Sequence, residues 1–191
     1  MKIGIFGGTF DPIHQGHLEI ARQAQQQFAL DKVFFVPAGR PPHKKSKDMA
    51  PAEHRYEMVR LAIQGQPGFE ISALEMERPE TSYTVETLRD LKKRFPDTEL
   101  YWIMGADSLA EIATWKEPGE IKRLAKFLVA HRSDEKMKHT AQEGVAWIAM
   151  PLCPVSATAI RKQLRQGKGP GDGLPNAVAS YIQAHHLYGT R

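Results

Sequence analysis

The sequence predicts an α/β fold, a doubly wound parallel sheet with helices on both faces. Three observations carry that expectation. Apolar runs of strand length recur without polar alternation at residues 32–36, 99–104 and 126–130, as in strands covered on both faces. Stretches with helical spacing of apolar residues separate them, the alternation that builds parallel sheets. The first run, Lys2-Ile3-Gly4-Ile5-Phe6, passes directly into paired glycines and a turn containing Pro12. Folds of this class place their ligands beyond the carboxyl ends of such strands.

Taken in order, residues 16–28 set Leu18, Ile20, Ala21, Ala24 and Phe28 among Gln, Glu and Arg, an amphipathic helix. The strand at 32–36 is followed by a loop over 37–51 rich in proline and lysine. Helical spacing returns at 52–63 and strand character at 69–74. Residues 83–94 read as a helix, with Ser82 as candidate N-cap. The strand at 99–104 carries Gly105-Ala106-Asp107 at its carboxyl end, and short helical stretches flank Trp115. Strands at 126–130 and 145–149 precede a proline turn at 151–154. Gly167-Lys168-Gly169-Pro170-Gly171-Asp172-Gly173 is the one linker-like stretch, and it leads to a last helix at about 175–186. The chain thus reads as a single domain over 1–191, with about 155–191 a C-terminal helical segment packing on it. It shows no internal repeat.

Composition narrows the function class. The 191 residues are 41% apolar and 25% charged, ordinary for a soluble enzyme-sized domain. The net charge is +4, and residues 155–191 alone hold five basic side chains against Asp172. A basic patch of that size serves a triphosphate as well as a nucleic acid. Cys153 is the sole cysteine, so no intrachain disulfide can form, which fits a reducing compartment. The start is too short for a signal-peptide core. No apolar run approaches the ~20 residues of a membrane span. A cytoplasmic protein is expected.

The chemistry concentrates in the opening string Gly7-Gly8-Thr9-Phe10-Asp11-Pro12-Ile13-His14-Gln15-Gly16-His17. Glycine lets backbone approach phosphate oxygens, because no Cβ intervenes. A helix start adds unpaired N–H groups and a positive dipole end. His14 and His17, three apart, project from one face of that first turn. The competing readings are a plain turn and a pair of structural histidines. A zinc pair would need a third ligand that the neighbouring sequence does not offer.

Other stretches add weaker signals. Pro41-Pro42-His43-Lys44-Lys45 is either a solvated basic loop or a lid whose His43 and Lys44 reach phosphates. Ser82-Tyr83-Thr84 at a helix start caps it, and free N–H groups there also suit a carboxylate better than a carboxamide. Gly105-Ala106-Asp107 offers either a helix cap or an acceptor for ribose hydroxyls. In Val155-Ser156-Ala157-Thr158-Ala159-Ile160-Arg161, Ser156 is a plausible N-cap and Arg161 a bidentate donor for phosphate. Arg132 is a weaker candidate for the nucleotide's surroundings. Neither the G-x-x-x-x-G-K-[ST] nor the G-x-S-x-G pattern occurs. Lys136-Met137-Lys138 reads as solvated charge.

The opening string resembles the H-x-G-H signature of the nucleotidyltransferase superfamily. Its longer form is similar to that of the nicotinate mononucleotide adenylyltransferases, and the likeness runs from Lys2 to about Tyr188. That resemblance implies transfer of the adenylyl group of ATP to nicotinate mononucleotide, giving deamido-NAD and pyrophosphate. It implies catalytic roles for His14, His17 and Arg161. It puts Gly7, Gly8, Thr9, Phe10, His43, Lys44, Gly105, Asp107, Ser156 and Thr158 around ATP and its phosphates. It puts Ser82, Tyr83, Thr84, Trp115 and Lys116 around the nicotinate ring, with Trp115 stacked on a cationic pyridinium. Many relatives carry Tyr where this chain has Lys116, and Ser where it has Ala157. Mg²⁺ is expected to arrive on the ATP phosphates, with no protein metal site. The expected partners are ATP and nicotinate mononucleotide, with no nucleic acid and no membrane; a homo-oligomer is compatible. Two rivals stand beside this reading. One is a sister nucleotidyltransferase with another acceptor; the other is a nucleotide- or RNA-binding module without chemistry.

Overall fold

A computed structural model describes residues 1–42, 49–131, 143–150 and 155–190 of the chain. Strand β1 (Lys2–Gly8) lies at the centre of its sheet. Strands β2 (Lys32–Pro37) and β3 (Phe69–Ile71) lie successively to one side. To the other lie β4 (Glu99–Gly105), β5 (Lys126–Ala130) and β6 (Val145–Ile148). The order is β3-β2-β1-β4-β5-β6 and every pairing is parallel. In register, Ile5 stands between Phe34 and Trp102. The chain reverses its direction of travel across the sheet between β1 and β4. Doubly wound folds bind ligands at that crevice.

Helices α1 (Gln15–Phe28), α2 (Ala52–Ile63), α3 (Thr84–Arg94), α4 (Ala106–Ala110), α5 (Pro118–Leu124), α6 (Ala157–Arg165) and α7 (Asn176–Ala184) cover the faces. Period-two alternation sends Val33, Phe35, Tyr101, Ile103, Leu128 and Ala130 into a core with α1, α2, α6 and α7. Their neighbours Phe34, Val36, Leu100, Trp102, Phe127 and Val129 pack against α3 and α5. Both sets are apolar, so the four central strands are covered on both faces and show no polar alternation, whereas edge strand β3 carries the part-exposed Glu70. Leu174, Val178, Ile182 and Leu187 from the C-terminal segment join the first core.

Element boundaries differ from the sequence reading where side chains intervene. Strand β3 stops at Ile71 because the chain turns at Ala73, whose carbonyl accepts from the Met76 and Glu77 N–H groups at 2.8 and 3.1 Å. Strand β6 stops at Ile148 because the Gln27 side chain takes both backbone groups of Ala149, at 3.0 and 2.7 Å. The last helix ends at Ala184, and left-handed His186 and Tyr188 shape a 3-10 turn over Leu187–Gly189. The cap of α3 is Tyr83, not Ser82. The Ser82 hydroxyl instead accepts the Arg40 N–H at 3.1 Å, while the Ser82 N–H returns to the Arg40 carbonyl at 3.0 Å. His43, Lys44, Arg132, the 136–138 triplet and the turn at 151–154 lie outside the described residues.

Candidate active site

Packing shapes the end of β1, where Gly7 and Gly8 are still paired with β2, and the loop that follows. A Cβ on Gly7 would lie 2.4 Å from the Trp102 indole, so any side chain at this position meets that ring. The same atom on Gly8 would press the Phe10 ring at 3.1 Å. Phe10 itself has φ +49 and a ring buried among Phe6, Phe35 and His17. Its side chain therefore serves the core, and what it can offer a ligand is its turned backbone. The Asp11-Pro12 bond is cis.

His14 is the N-cap of α1, and the His17 ring stacks on it at 3.7 Å between centroids. The His14 N–H donates to Nδ1 of His17 at 3.2 Å. An accepting Nδ1 carries no proton, so the neutral His17 ring holds its proton on Nε2. The backbone thereby selects the tautomer with a donor at the outer nitrogen. His14 is buried and His17 partly open, and both line the cavity.

Two residues that the sequence reading passed over hold this loop. Arg55 of α2 is fully buried. Its guanidinium donates to the carbonyls of Thr9 at 2.8 Å, Ala50 at 3.0 Å and Gly39 at 3.3 Å. Burial lowers its pKa from the ordinary arginine value, against the opposing field of Asp11 first and then Tyr188, Glu53 and Glu75. Asp11 gathers donors as Arg55 gathers acceptors. Its Oδ1 accepts from the Tyr188 hydroxyl at 2.7 Å and the Ala50 N–H at 3.0 Å. Its backbone carbonyl accepts from Arg161 Nη1 at 2.6 Å, and Oδ2 stands 3.6 Å from the same nitrogen. Burial first, then Asp11, pushes the Tyr188 phenol far up, so it stays a donor. Asp11 sits inside the opening motif, where it reads as a turn former. Arg55 and Tyr188 carry no local signal, because only the tertiary fold brings them to the loop.

The start of α3 forms a second wall. The first N–H groups of a helix have no intrahelical acceptor, so those of Thr84 and Val85 are available there. Ser82 is not: its N–H donates to the Arg40 carbonyl and its hydroxyl accepts the Arg40 N–H. Thr87 Oγ1 donates to the Glu75 carboxylate at 2.6 Å. Glu75 is 5% exposed, and desolvation raises its pKa despite the Thr87 and Ser82 hydroxyls and the Arg78 and Arg55 charges. Lys116 Nζ pairs with Glu86 in the first turn of α3 at 2.8 Å and lies 5.0 Å over the Tyr83 ring. Trp115 beside it meets Trp102 edge to face at 6.5 Å and is only partly buried. Gly105 caps α4, which leaves Asp107 exposed in its first turn rather than acting as the cap.

The third wall is the start of α6. Ser156 is its N-cap and accepts the Ala159 N–H at 3.2 Å. Thr158 is exposed there, and Arg161, one turn on, reaches back to Asp11. One cavity of about 1000 Å³ at the carboxyl edge of β1, β4 and β5 brings the three walls together. Gly7, Gly8, Thr9, Phe10, His14 and His17 line it on one side. Ser82, Tyr83, Thr84, Gly105, Asp107, Trp115 and Lys116 line it on another, and Ser156, Thr158 and Arg161 on the third. Glu75 and Asp11 are also in its lining. His43 and Lys44 are the two expected site residues that cannot be placed, since they fall outside the described residues. Among the described residues, no helix is long and apolar enough to cross a membrane.

Two helix starts, paired imidazoles and an arginine around one crevice offer donors to a polyanion, as the nucleotidyl-transferring enzymes require. Residues 5–163 match the family model described as cytidylyltransferase-like, which defines that class. The chain is 45% identical over 188 residues to a "Probable nicotinate-nucleotide adenylyltransferase" of Thermus thermophilus, covering 98% of this chain and 100% of that one. It is 42% identical to a protein of the same name from Desulfitobacterium hafniense, covering 98% and 95%. The chain belongs to the nicotinate-nucleotide adenylyltransferase family. The fold agrees: the Plasmodium falciparum nicotinic acid mononucleotide adenylyltransferase complexed with NaAD superposes with a TM-score of 0.82, covering 100% of this chain and 98% of that one, at 20% identity.

Proposed function

We propose that the chain transfers the adenylyl group of ATP to nicotinate mononucleotide, releasing pyrophosphate and forming deamido-NAD. The observation that carries this reading is the single cavity shared by the opening loop, the α3 start with Trp115, and the α6 start with Arg161. Three anion-seeking walls suit a reaction that joins two phosphate-bearing molecules and expels a third.

The 5′-phosphate oxygen of the mononucleotide attacks the α-phosphorus of ATP in line. One P–O bond forms as the bond to the β-phosphate oxygen breaks. Positioning and charge stabilisation then do the catalysis, as in phosphoryl transfer generally. His17, with its proton on Nε2, donates to an oxygen of the transferring phosphate, and His14 lies beside it. Thr9 and the backbone of 7–10 face the mononucleotide. The Ser156 helix start, Thr158 and Arg161 hold the β- and γ-phosphates and then the departing pyrophosphate. Asp107 accepts from ribose hydroxyls. His43 and Lys44 match the family motif and take its role toward the phosphates.

The nicotinate ring stacks on Trp115, and its carboxylate meets the free N–H groups at the α3 start. Ser82 is paired with Arg40 through both its hydroxyl and its N–H, so it shapes this pocket rather than serving as its principal donor. The Lys116 charge is met by Glu86, so this departure from the family adds little net field at the carboxylate. Among the described residues no group of three or more His, Cys, Asp or Glu side chains is placed to hold a metal. Imidazoles, hydroxyls and amides fit phosphate oxygens rather than a bare hard cation. Mg²⁺ carried on the ATP phosphates would neutralise part of their charge. The reading places the enzyme in the cytoplasm, asks for neither nucleic acid nor membrane, and is compatible with a homo-oligomer.

The test is pyrophosphate release with ATP and Mg²⁺, offering nicotinate mononucleotide, its amide, and phosphopantetheine separately. Strong preference for the acid is expected. Release only with phosphopantetheine would identify a sister enzyme, and no release with any acceptor would leave a binding module. His17→Ala is expected to lose about 10²–10³ in kcat, the scale of one removed transition-state donor, with the fold intact.

A further inference from the structure

We infer that Tyr188 and Asp11 form a positioning pair that keeps Arg161 available to pyrophosphate without locking it away. The inference rests on the reading of Arg161 as a phosphate ligand. Asp11 is 9% exposed and its carboxylate lies beside a guanidinium, the arrangement in which a direct two-point salt bridge would be expected to close. It does not close. Oδ2 stands 3.6 Å from Arg161 Nη1, beyond hydrogen-bond reach, and that nitrogen donates a hydrogen bond to the Asp11 backbone carbonyl instead.

The orientation of the carboxylate explains this. Oδ1 takes two donors from two directions: the Tyr188 hydroxyl, from the turn after α7, and the Ala50 N–H, just before α2. Together they fix the rotation of the group and hold Oδ2 off the arginine. Tyr188 is anchored well enough to do so, with 9% exposure and a backbone fixed at φ +59. Its hydroxyl remains protonated, because burial and the Asp11 charge oppose ionisation. Arg161 thus has one nitrogen tethered and its charge partly offset, while the rest of the planar fork serves the cavity it lines. Without the Tyr188 hydroxyl, the carboxylate is free to swing onto Arg161, the cation nearest its free oxygen, and compete with the substrate.

Tyr188→Phe removes the hydroxyl and keeps the buried ring. KM for ATP, and KM for pyrophosphate in the reverse reaction with deamido-NAD, are expected to rise about tenfold, within the scale of one hydrogen bond to a charged group. KM for nicotinate mononucleotide should stay within about twofold, since that substrate does not meet Arg161. In an Arg161→Ala background the same substitution should have little further effect, because its target is gone. If Tyr188→Phe folds poorly, Asp11→Asn gives the converse comparison: it retains an acceptor for Ala50 and Tyr188 but removes the carboxylate that would swing. Neither KM for ATP nor KM for pyrophosphate should then rise, and a rise in both would overturn the inference. Equal changes in all three KM values, or full additivity with Arg161→Ala, would reduce Tyr188 to a structural residue and overturn the inference. If Arg161→Ala itself left both phosphate KM values unchanged, the phosphate reading beneath it would fail instead.

Discussion

Gly7→Ala separates packing from catalysis at the end of β1. The added Cβ would lie 2.4 Å from Trp102 Cη2 and 2.5 Å from Cζ2, whereas ordinary contact begins at 3.4 Å. The indole would therefore have to retreat by about 1 Å within a close-packed interior, being only 3% exposed itself. Such overpacking costs about 1–3 kcal/mol. Trp102→Phe removes the outer ring atoms and makes a cavity worth about 2 kcal/mol. If the indole is what excludes the methyl, the double variant should be about 1–2 kcal/mol more stable than the two losses summed. Urea unfolding at constant m reads this directly, and pyrophosphate release is measured on the same samples. An equal loss from Gly7→Ala in both backgrounds would refute the packing argument. Recovered stability with turnover still absent would show that the Gly7 backbone must also stay open to phosphate.

Three further outcomes follow from the buried polar groups and the Lys116 pair. Glu75 has its pKa raised by burial, so the folded state holds a proton that the unfolded chain releases from about pH 4.5 upward. Wild-type stability should fall as pH rises from there to the folded-state pKa, by about 1.4 kcal/mol for each tenfold weakening of the acid; Glu75→Gln should flatten that fall in Tm, and parallel curves would contradict it. Arg55→Met strips the donors from three loop carbonyls. It should cost about 3–5 kcal/mol in urea unfolding, and a loss under about 1 kcal/mol would mean that water replaces the guanidinium without penalty. Lys116→Ala combined with Glu86→Gln should change the acid-to-amide preference by less than about threefold, because the two charges offset each other in an exposed pair; a larger change would show the ammonium acting on the carboxylate directly.

The sheet was legible because apolar runs on both faces leave one answer for the strands. Helix α2 and strand β5 fall where the spacing put them. The misread boundaries have specific causes, such as Gln27 reaching 122 residues along the chain to cap β6. Of the residues presented by a motif, those within the described residues, His14, His17, Trp115 and Arg161 among them, line the cavity, while His43 and Lys44 lie outside. The residues that support them did not announce themselves. Arg55 is one polar position in the helical stretch at 52–63, Glu75 follows the strand stretch at 69–74, and Tyr188 lies beyond the last helix. Local sequence shows what a loop could touch; which buried charges hold it depends on partners far away in the chain.

The β1–β4 pairing has a consequence for how the molecule assembles. Ile5 finds Trp102 only after roughly a hundred intervening residues have been made, whereas β2 lies a short crossover from β1, and β5 from β4. Two halves can thus organise separately, and joining them carries the larger loop-closure entropy. The cavity opens along that junction, with the opening loop after β1 and Gly105 and Asp107 after β4. Neither half carries the whole site: the opening loop and the α3 start belong to the first, and Asp107, Trp115 and the α6 start to the second. A nucleotide bound there draws together two halves rather than stiffening either, and at a hundred times its Kd it adds about 2.7 kcal/mol against their separation.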